Sequence, residues 1–408
     1  MNAKPRIIAV FTGNRAEYGL QYPILEQIAA HPDLDYRLIV SGAHLDANFG
    51  RTLSEIRDDG FDIHAEVKID MAADDLAATA NAIGSGVIGV AEALRELAPD
   101  MLLVYADRFE GFAALIAGTQ SGIPTGHIEG GDLTEGGALD DSVRHAMTKL
   151  AHLHFTTNQQ ASNRILGMGE ETWRVHTVGF PMIDLLNAND FTPANEVLER
   201  YGLSLDKPIV VFTQHSVTTF VDAALEQLGP SLEAIRRVAT QGAQVVVTYP
   251  NNDAGGRAIY GELEKFIETV SDNVQLHQSL GRRDFHGLLA LAVNPTHRVI
   301  CAGNSSSGIK ETPAFGCPTV NIGTRQKGRL RAENVIDADY DADAIETAML
   351  KALDNENFRE ICRSCSNPYG QGDAGASIAK VVAELPLDDR LLVKRMTLDG
   401  VVSDGWFR

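Results

Sequence analysis

Arg6-Ile7-Ile8-Ala9-Val10-Phe11-Thr12-Gly13-Asn14-Arg15-Ala16-Glu17-Tyr18-Gly19 begins as a β-branched apolar run and ends in a glycine turn that opens a helix. A strand that delivers a small-residue turn to a helix N-terminus is the repeating unit of parallel α/β sheets. The unit recurs down the chain. In the first half the apolar runs are Arg6 to Gly13, Asp35 to Gly42, Asp100 to Asp107, Pro124 to Gly130, His152 to Asn158 and Val175 to Phe180. Apolar spacing predicts helices over Leu45 to Arg57 and Asn81 to Leu97. Residues 187–208, with Asn187, Asn189, Asp190, Pro193 and Pro208, read as a linker. The rhythm restarts with Pro208 to His215, Gln244 to Asn251, Asn273 to Ser279, His297 to Gly303 and Pro318 to Gly323. The expected fold class is therefore α/β, with two Rossmann-like doubly wound parallel-sheet domains and a cleft between them. In such sheets ligands bind outside the carboxyl ends of the strands.

Composition excludes several functions. The 408 residues hold 35 Lys plus Arg against 55 Asp plus Glu, a net charge of -20, with 44% hydrophobic residues. That is ordinary globular composition. Its field repels nucleic acid and anionic membranes, so any phosphate must be caught in a local pocket. The Ile7 to Phe11 run is too short for a signal-peptide core, and no stretch approaches the ~18 apolar residues of a membrane helix. A cytoplasmic protein is expected. Cys301, Cys317, Cys362 and Cys365 make no disulfide framework, and the Cys362/Cys365 pair lacks a second pair for zinc.

The strand ends of the first half carry acids. The Thr12 to Gly19 turn offers glycine, free helix N-H groups and the Arg15 cation, a set that suits phosphate or simply makes a tight turn. No Walker loop occurs. A Gly-x-Gly-x-x-Gly string at Gly84, Gly86 and Gly89 follows an Ala-rich helical stretch rather than a strand, so it reads as helix packing and not as a dinucleotide site. Asp107-Arg108-Phe109-Glu110 leaves the third run; Asp107 either caps the next helix or is tuned for proton transfer. Between His127 and His145 stand five carboxylates, two histidines and four glycines, Glu129, Asp140 and Asp141 among the acids. A helix beginning near Asp140 would pair it with Arg144, and Asp141 with His145, at i,i+4 spacing.

The second half offers hydroxyls and cations instead. His215 follows a strand, where a histidine contacts phosphate, carries a proton or is structural. Gly303-Asn304-Ser305-Ser306-Ser307-Gly308 is a strand-to-helix loop that suits a diphosphate, with Glu311 able to accept ribose hydroxyls, or is a simple capped turn. Arg325, Lys327 and Arg329 bring three cations to an acidic chain.

In these strings, taken in order from Thr12-Gly13-Asn14-Arg15 through Asp107-Arg108-Phe109-Glu110, His127-Ile128-Glu129-Gly130, Asp140-Asp141-Ser142-Val143-Arg144-His145 and Gly303 to Gly308 to Gly323-Thr324-Arg325-Gln326, the chain resembles the hydrolysing UDP-N-acetylglucosamine 2-epimerases of sialic-acid and related nonulosonic-acid biosynthesis. The resemblance runs from Arg6 to about residue 380. It implies the GT-B fold, with domains at 1–190 and 191–370 and a segment 371–408 holding a crossover helix that returns to the first domain, plus a tail. It further implies elimination of UDP with loss of the carbon 2 proton, then hydration of the 2-acetamidoglucal to release the inverted free sugar. By motif position Asp107, Glu129 and Asp140 match the acid/base carboxylates. Arg15 and His215 match residues near the diphosphate, Ser305 and Ser306 the phosphate loop, Glu311 the ribose contact and Arg325 a further UDP-side contact. Arg108 and Arg144 sit within the matched strings.

No cofactor or metal is implied, and a homodimer or homotetramer is. Two substrates stay open, UDP-N-acetylglucosamine and its 4-acetamido-6-deoxy analogue UDP-N,N'-diacetylbacillosamine, because the chemistry at carbons 1 and 2 is shared. The alternatives from other classes are a GT-B glycosyltransferase using a UDP-sugar donor and a non-catalytic UDP-sugar binder. Leu385 to Arg408 lies outside the resemblance.

Overall fold

A computed structural model describes residues 4–45, 53–69, 76–133, 139–251 and 255–398; of Arg15, Ala16, Leu76, Ala77, Leu139, Asp140 and Thr218 only the backbone is described. The chain separates into two compact units. Unit 1 holds the chain up to Asp132, Asp140–Asp184 and the segment from Gly372 onward, and unit 2 holds Leu133, Leu139 and Leu185–Gln371.

Unit 1 is built on a seven-stranded sheet of β1 (Arg6–Thr12), β2 (Leu34–Ser41), β3 (Ile63–Val67), β4 (Met101–Tyr105), β5 (Thr125–Ile128), β6 (Leu153–Thr156) and β7 (Val175–Thr177). Their order is β3-β2-β1-β4-β5-β6-β7 and every pairing is parallel. Unit 2 has six strands, β8 (Ile209–Thr213), β9 (Gln244–Thr248), β10 (Val274–His277), β11 (Val299–Gly303), β12 (Thr319–Ile322) and β13 (Val335–Ala338). Their order is β10-β9-β8-β11-β12-β13, again all parallel. Both sheets thus change direction of strand order once, between β1 and β4 and between β8 and β11. A crevice opens at such a switch because the flanking helices leave on opposite faces.

The central strands are buried on both faces, which is why they read as unbroken apolar runs: β4 and β11 are buried at every position. The edge strands β3 and β13 were not expected from the sequence. Ile63-His64-Ala65-Glu66-Val67 and Val335-Ile336-Asp337-Ala338 mix polar residues into half-buried positions and so lack the apolar signature. Of the expected helix over Leu45 to Arg57, Leu45 follows a 3-10 turn at Gly42–His44, the end lies in a helix at Leu53–Asp58, and residues 46–52 lie outside the described residues. The expected linker 187–208 contains a helix, Ala194–Tyr201, ended by Gly202 at φ 58. Pro193 there starts a helix rather than breaking one.

The Leu76–Leu97 helix contains all three glycines of the Gly-x-Gly-x-x-Gly string. A Cβ on Gly86 would come within 2.9 Å of the Ala113 Cβ, and one on Gly89 within 2.7 Å of Val67 Cγ1. These glycines permit close packing. The helix Ala374–Glu384 belongs to unit 1, where Ile378 and Val382 share a core with Ile24, Leu25 and Ile28. Asp184 holds its start, accepting the N-H groups of Ala374 at 3.0 Å and Gly375 at 2.7 Å.

Candidate active site

In unit 1 the site begins where β1 ends. Asn14 caps the Arg15–Ala30 helix by accepting the Glu17 N-H at 3.0 Å, and Glu17 reaches back to the Gly13 N-H at 3.0 Å. This is a capping box shifted by one residue. Glu17 is buried, and burial first, with the charge of Glu110 second, pushes its carboxyl up to about 8. Glu110, wholly buried at the start of the next helix, packs under Gly13: a Cβ there would lie 2.8 Å from its own. Arg108 Nε stands 3.6 Å from its Oε2. The side chain of Arg15 lies outside what is described.

Asp107 leaves β4 through Ala106, which sits at φ 55. A non-glycine residue there costs on the order of 1 kcal/mol, a strain that recurs at functional sites. Asp107 does not cap the following helix, whose N-cap position is Arg108. Its Oδ2 is bonded instead to Arg144 Nη2. Arg144 is 3% exposed, and its other nitrogen donates to Asp141 Oδ1 at 2.7 Å and to the Asp132 carbonyl at 2.9 Å. One guanidinium therefore joins the end of β4 to the helix Leu139–Leu150. The expected i,i+4 pair of Asp140 with Arg144 falls on a side chain outside what is described; Asp141 of the same helix meets Arg144 at i,i+3. His145 Nε2 approaches Asp141 Oδ2 at 3.8 Å, the expected i,i+4 spacing, and burial lowers its pKa.

Glu129 follows β5, also at positive φ, 66°. Its Oε2 accepts the Tyr105 hydroxyl at 2.5 Å. Burial and the Glu129 charge raise the Tyr105 pKa well above its ordinary value, so the phenol keeps its proton and is the donor. His127 is wholly buried, which lowers it to about 3. Being neutral, it donates from Nε2 to the Ala106 carbonyl at 2.6 Å and accepts the Thr148 hydroxyl at Nδ1, 3.2 Å away. Asp107 and Glu129 thus stand at the ends of neighbouring strands, each held by a different buried donor.

In unit 2 the corresponding switch is organised by an amide. Asn304 follows β11 and grips the backbone of His215 with both ends: its Oδ1 accepts the His215 N-H at 2.7 Å and its Nδ2 donates to the His215 carbonyl at 2.9 Å. Gly303 makes this possible at φ 121, where a Cβ would collide with the Thr213 carbonyl at 1.9 Å. The Asn304 carbonyl collects Arg325 Nη1 at 3.2 Å and Gln326 Nε2 at 2.9 Å. His215 Nδ1 accepts the Asn251 N-H at 2.9 Å. Burial, then the Arg325 charge, lowers His215 to about 3, so it is a neutral Nε2-H donor rather than a cation at pH 7. Ser305 and Ser306 are half-buried in the next two positions, and the Ser305 hydroxyl accepts the Ser307 N-H at 3.4 Å. Buried Glu311 is bonded to His286 at 2.6 Å.

The structure therefore gathers Asp107, Glu129, Arg108 and Arg144 at one end of the unit 1 sheet, and His215, Ser305, Ser306 and Arg325 around Asn304 in unit 2. Glu110, Glu17, Tyr105 and His286 were not expected as site residues. Only the first two stand inside the motif strings, and their burial has no sequence signal.

Known proteins share this architecture. The family model described as UDP-N-acetylglucosamine 2-epimerase matches residues 26–383. The UDP-N,N'-diacetylbacillosamine 2-epimerase (hydrolyzing) of Legionella pneumophila is 34% identical over 389 residues, covering 95% of this chain and 98% of that protein. The UDP-N-acetylglucosamine 2-epimerase of Neisseria meningitidis is 33% identical over 354 residues, covering 86% of this chain and 89% of its own. Among solved structures, UDP-GlcNAc 2-epimerase from Neisseria meningitidis bound to UDP-GlcNAc superposes with a TM-score of 0.77 at 18% identity, covering 92% of this chain and 99% of the other. The Methanocaldococcus jannaschii enzyme in complex with UDP-GlcNAc and UDP gives 0.74 at 16%, with the same coverage of both chains. Those structural likenesses show the fold, two parallel-sheet α/β domains of the GT-B type. With a family match across most of its length and relatives above 30% identity aligned nearly end to end, the chain belongs to the UDP-N-acetylglucosamine 2-epimerase family.

Proposed function

We propose that the chain is a hydrolysing 2-epimerase of a UDP-2-acetamido sugar, releasing UDP and the free manno-configured sugar for nonulosonic-acid synthesis. The observation that carries this reading is the pair of carboxylates, Asp107 and Glu129, fixed at adjacent strand ends by Arg144 and Tyr105. Removing the carbon 2 proton and later returning one needs oriented carboxylates, and orientation is what these buried donors supply. Asp140 is the third acid of the proposal. In unit 2, neutral His215, the Ser305 and Ser306 hydroxyls and Arg325 bind the diphosphate as it departs, offering donors without carboxylates that would repel it. Glu311, held by His286, takes the ribose. Arg15, Arg108 and Arg144 complete the cationic contacts to substrate.

The relatives' names support both open substrates, UDP-N-acetylglucosamine and UDP-N,N'-diacetylbacillosamine. Elimination and rehydration need no redox cofactor. A homodimer or homotetramer in the cytoplasm belongs to the same proposal, with domains 1–190, 191–370 and 371–408. Among the described residues, no helix is long and apolar enough to cross a membrane.

The test is incubation with each UDP-sugar in deuterated water, followed by NMR. UDP together with a free manno-configured sugar deuterated at carbon 2 is the expected result. Transfer to an added acceptor, or release of an unchanged gluco sugar, sinks the proposal in favour of a glycosyltransferase or a plain hydrolase.

A further inference from the structure

The segment after Glu384 has no place in the alternating pattern of strands and helices, yet it is bonded densely to unit 1. Its short helix Asp389–Leu392 buries Leu391 in the unit 1 core. Wholly buried Arg174 donates to the carbonyls of Arg390 at 2.7 Å, Leu391 at 2.8 Å and Val393 at 3.0 Å. Farther along, the Thr397 N-H reaches the Gly169 carbonyl at 2.9 Å. Between these anchors stands Lys394. Its ammonium donates to the backbone carbonyls of Ala151 at 2.6 Å and Lys149 at 2.8 Å, with Thr148 at 3.5 Å, and pairs with Glu170 Oε2 at 2.9 Å. Glu170, 1% exposed, also receives Lys149 at 2.5 Å and His154 at 3.1 Å.

The Thr148 and Lys149 carbonyls belong to the last turn of the Leu139–Leu150 helix, and the Ala151 carbonyl follows it. Terminal carbonyls have no partners within a helix and form the negative end of its dipole, so a cation there satisfies both needs. The same helix carries Arg144, which holds Asp107, and Thr148, which holds His127. His127 in turn holds the carbonyl of Ala106, the residue before Asp107. Bonds therefore run from Lys394 to Asp107 by two routes, along the helix through Arg144 and across Thr148 and His127.

We propose that Lys394 is a positioning residue, whose ammonium caps the Leu139–Leu150 helix and so sets the register at which Arg144 holds Asp107 and His127 holds the Ala106 carbonyl before it. The role assigned to Asp107 rests on the epimerase reading; the cap itself does not.

The test uses the full chain with Lys394→Met, which keeps length and loses charge, and Lys394→Arg, which keeps charge. Two readouts are taken: kcat and KM for UDP release, normalised to UDP-binding stoichiometry, and hydrogen exchange of amides 143–151 without substrate. We expect Lys394→Met to lower kcat about tenfold with KM within twofold, and to speed exchange in that helix. Lys394→Arg is expected to recover both. Wild-type kcat per UDP site in Lys394→Met overturns the proposal, as does unchanged exchange. Recovery of slow exchange in Lys394→Arg without recovery of kcat overturns the link to Asp107. Should the wild-type protein release no UDP from either sugar, the epimerase reading fails by itself, and exchange alone then decides for or against the cap.

Discussion

At the switch between β1 and β4, unit 1 gathers Glu17, Glu110 and Asp107; at the equivalent switch between β8 and β11, unit 2 gathers Gln214, His215, Asn304 and Ser305. The strand order around the two places is the same, so topology explains where each site lies and nothing about what it does. The side chains differ in kind. Unit 1 concentrates carboxylates, and burial with a like-charged neighbour raises the pKa of one of them, Glu17. Unit 2 has amides, hydroxyls and a neutral imidazole with one guanidinium close by. Within a chain of net charge -20, that second environment is the one to which the proposed function assigns the diphosphate. One architecture, used twice, thus carries carboxylates in one half and amide, hydroxyl and imidazole groups in the other, which the proposed function reads as a division between proton transfer and diphosphate binding.

The most damaging test of this division is Asp107→Asn. If unit 1 moves protons and unit 2 binds UDP, kcat falls by about 10³, within the range for loss of a general acid or base, while UDP affinity by calorimetry stays within twofold. Parallel loss of both breaks the division. Loss of UDP affinity alone reverses it.

Much of this contrast was legible in the residue string. The central strands are buried on both faces, so Ile7 to Phe11 and Val299 to Ala302 announce themselves; the edge strands Ile63–Val67 and Val335–Ala338 do not, since half their positions face water or polar neighbours. Asp107, Glu129, His215 and Ser305 stand out in the sequence because each follows an apolar run and lies beside glycine or a helix start, and the structure puts all four at strand ends. What they touch was not legible. Helical spacing points Arg144 only at acids of its own helix and gives no hint of Asp107, 37 residues away, which it meets in the structure. Tyr105, Glu110 and His286 act through burial, which depends on long-range packing. Lys394 lies 243 residues from the carbonyl of Ala151 it binds, beyond any local pattern.

The division also implies different sensitivity to acid. Unit 1 braces its helix with the Glu170 cluster, while unit 2 braces His215 with the neutral amide of Asn304. Burial would raise Glu170, but His154, Lys149 and Lys394 outweigh it and hold the carboxyl at about 2. A carboxyl depressed from its ordinary value contributes stability in full above about 4.5, and the contribution is lost as pH falls through about 2. Glu170→Gln lacks that contribution at every pH. It should therefore cost roughly 3 kcal/mol at pH 7, the loss typical of breaking a buried ionic cluster, and the gap to wild type should narrow on acidification. Urea unfolding followed by Trp173 fluorescence, in a Trp406→Phe background, reads unit 1. A gap that stays constant between pH 7 and about 3.5 would show that the Glu170 charge is not what matters.

The smallest effects bear on the glycine string of unit 1. Gly84, Gly86 and Gly89 spell a dinucleotide fingerprint, and a nucleotide site there would be a second one, apart from the strand ends that the proposed function uses. In the structure they lie inside one helix and differ among themselves. Gly84 is exposed, with nothing within 4 Å of the place a side-chain methyl would take, whereas Gly86 and Gly89 face Ala113 and the β-branched Val67. Gly84→Ala should then gain about 0.5–1 kcal/mol, because alanine restricts the unfolded chain and favours helix. Gly86→Ala and Gly89→Ala should each lose about 1–3 kcal/mol, since a stiff Val67 or the Ala113 backbone must move to admit the methyl. None of the three should alter UDP affinity. A phosphate loop behaves in the opposite way: its glycines touch ligand, so substitution there weakens nucleotide binding at all three positions. Thermal unfolding and UDP titration of the three variants separate the two patterns, and only the packing pattern leaves the Gly84 to Gly89 string without a part in nucleotide binding.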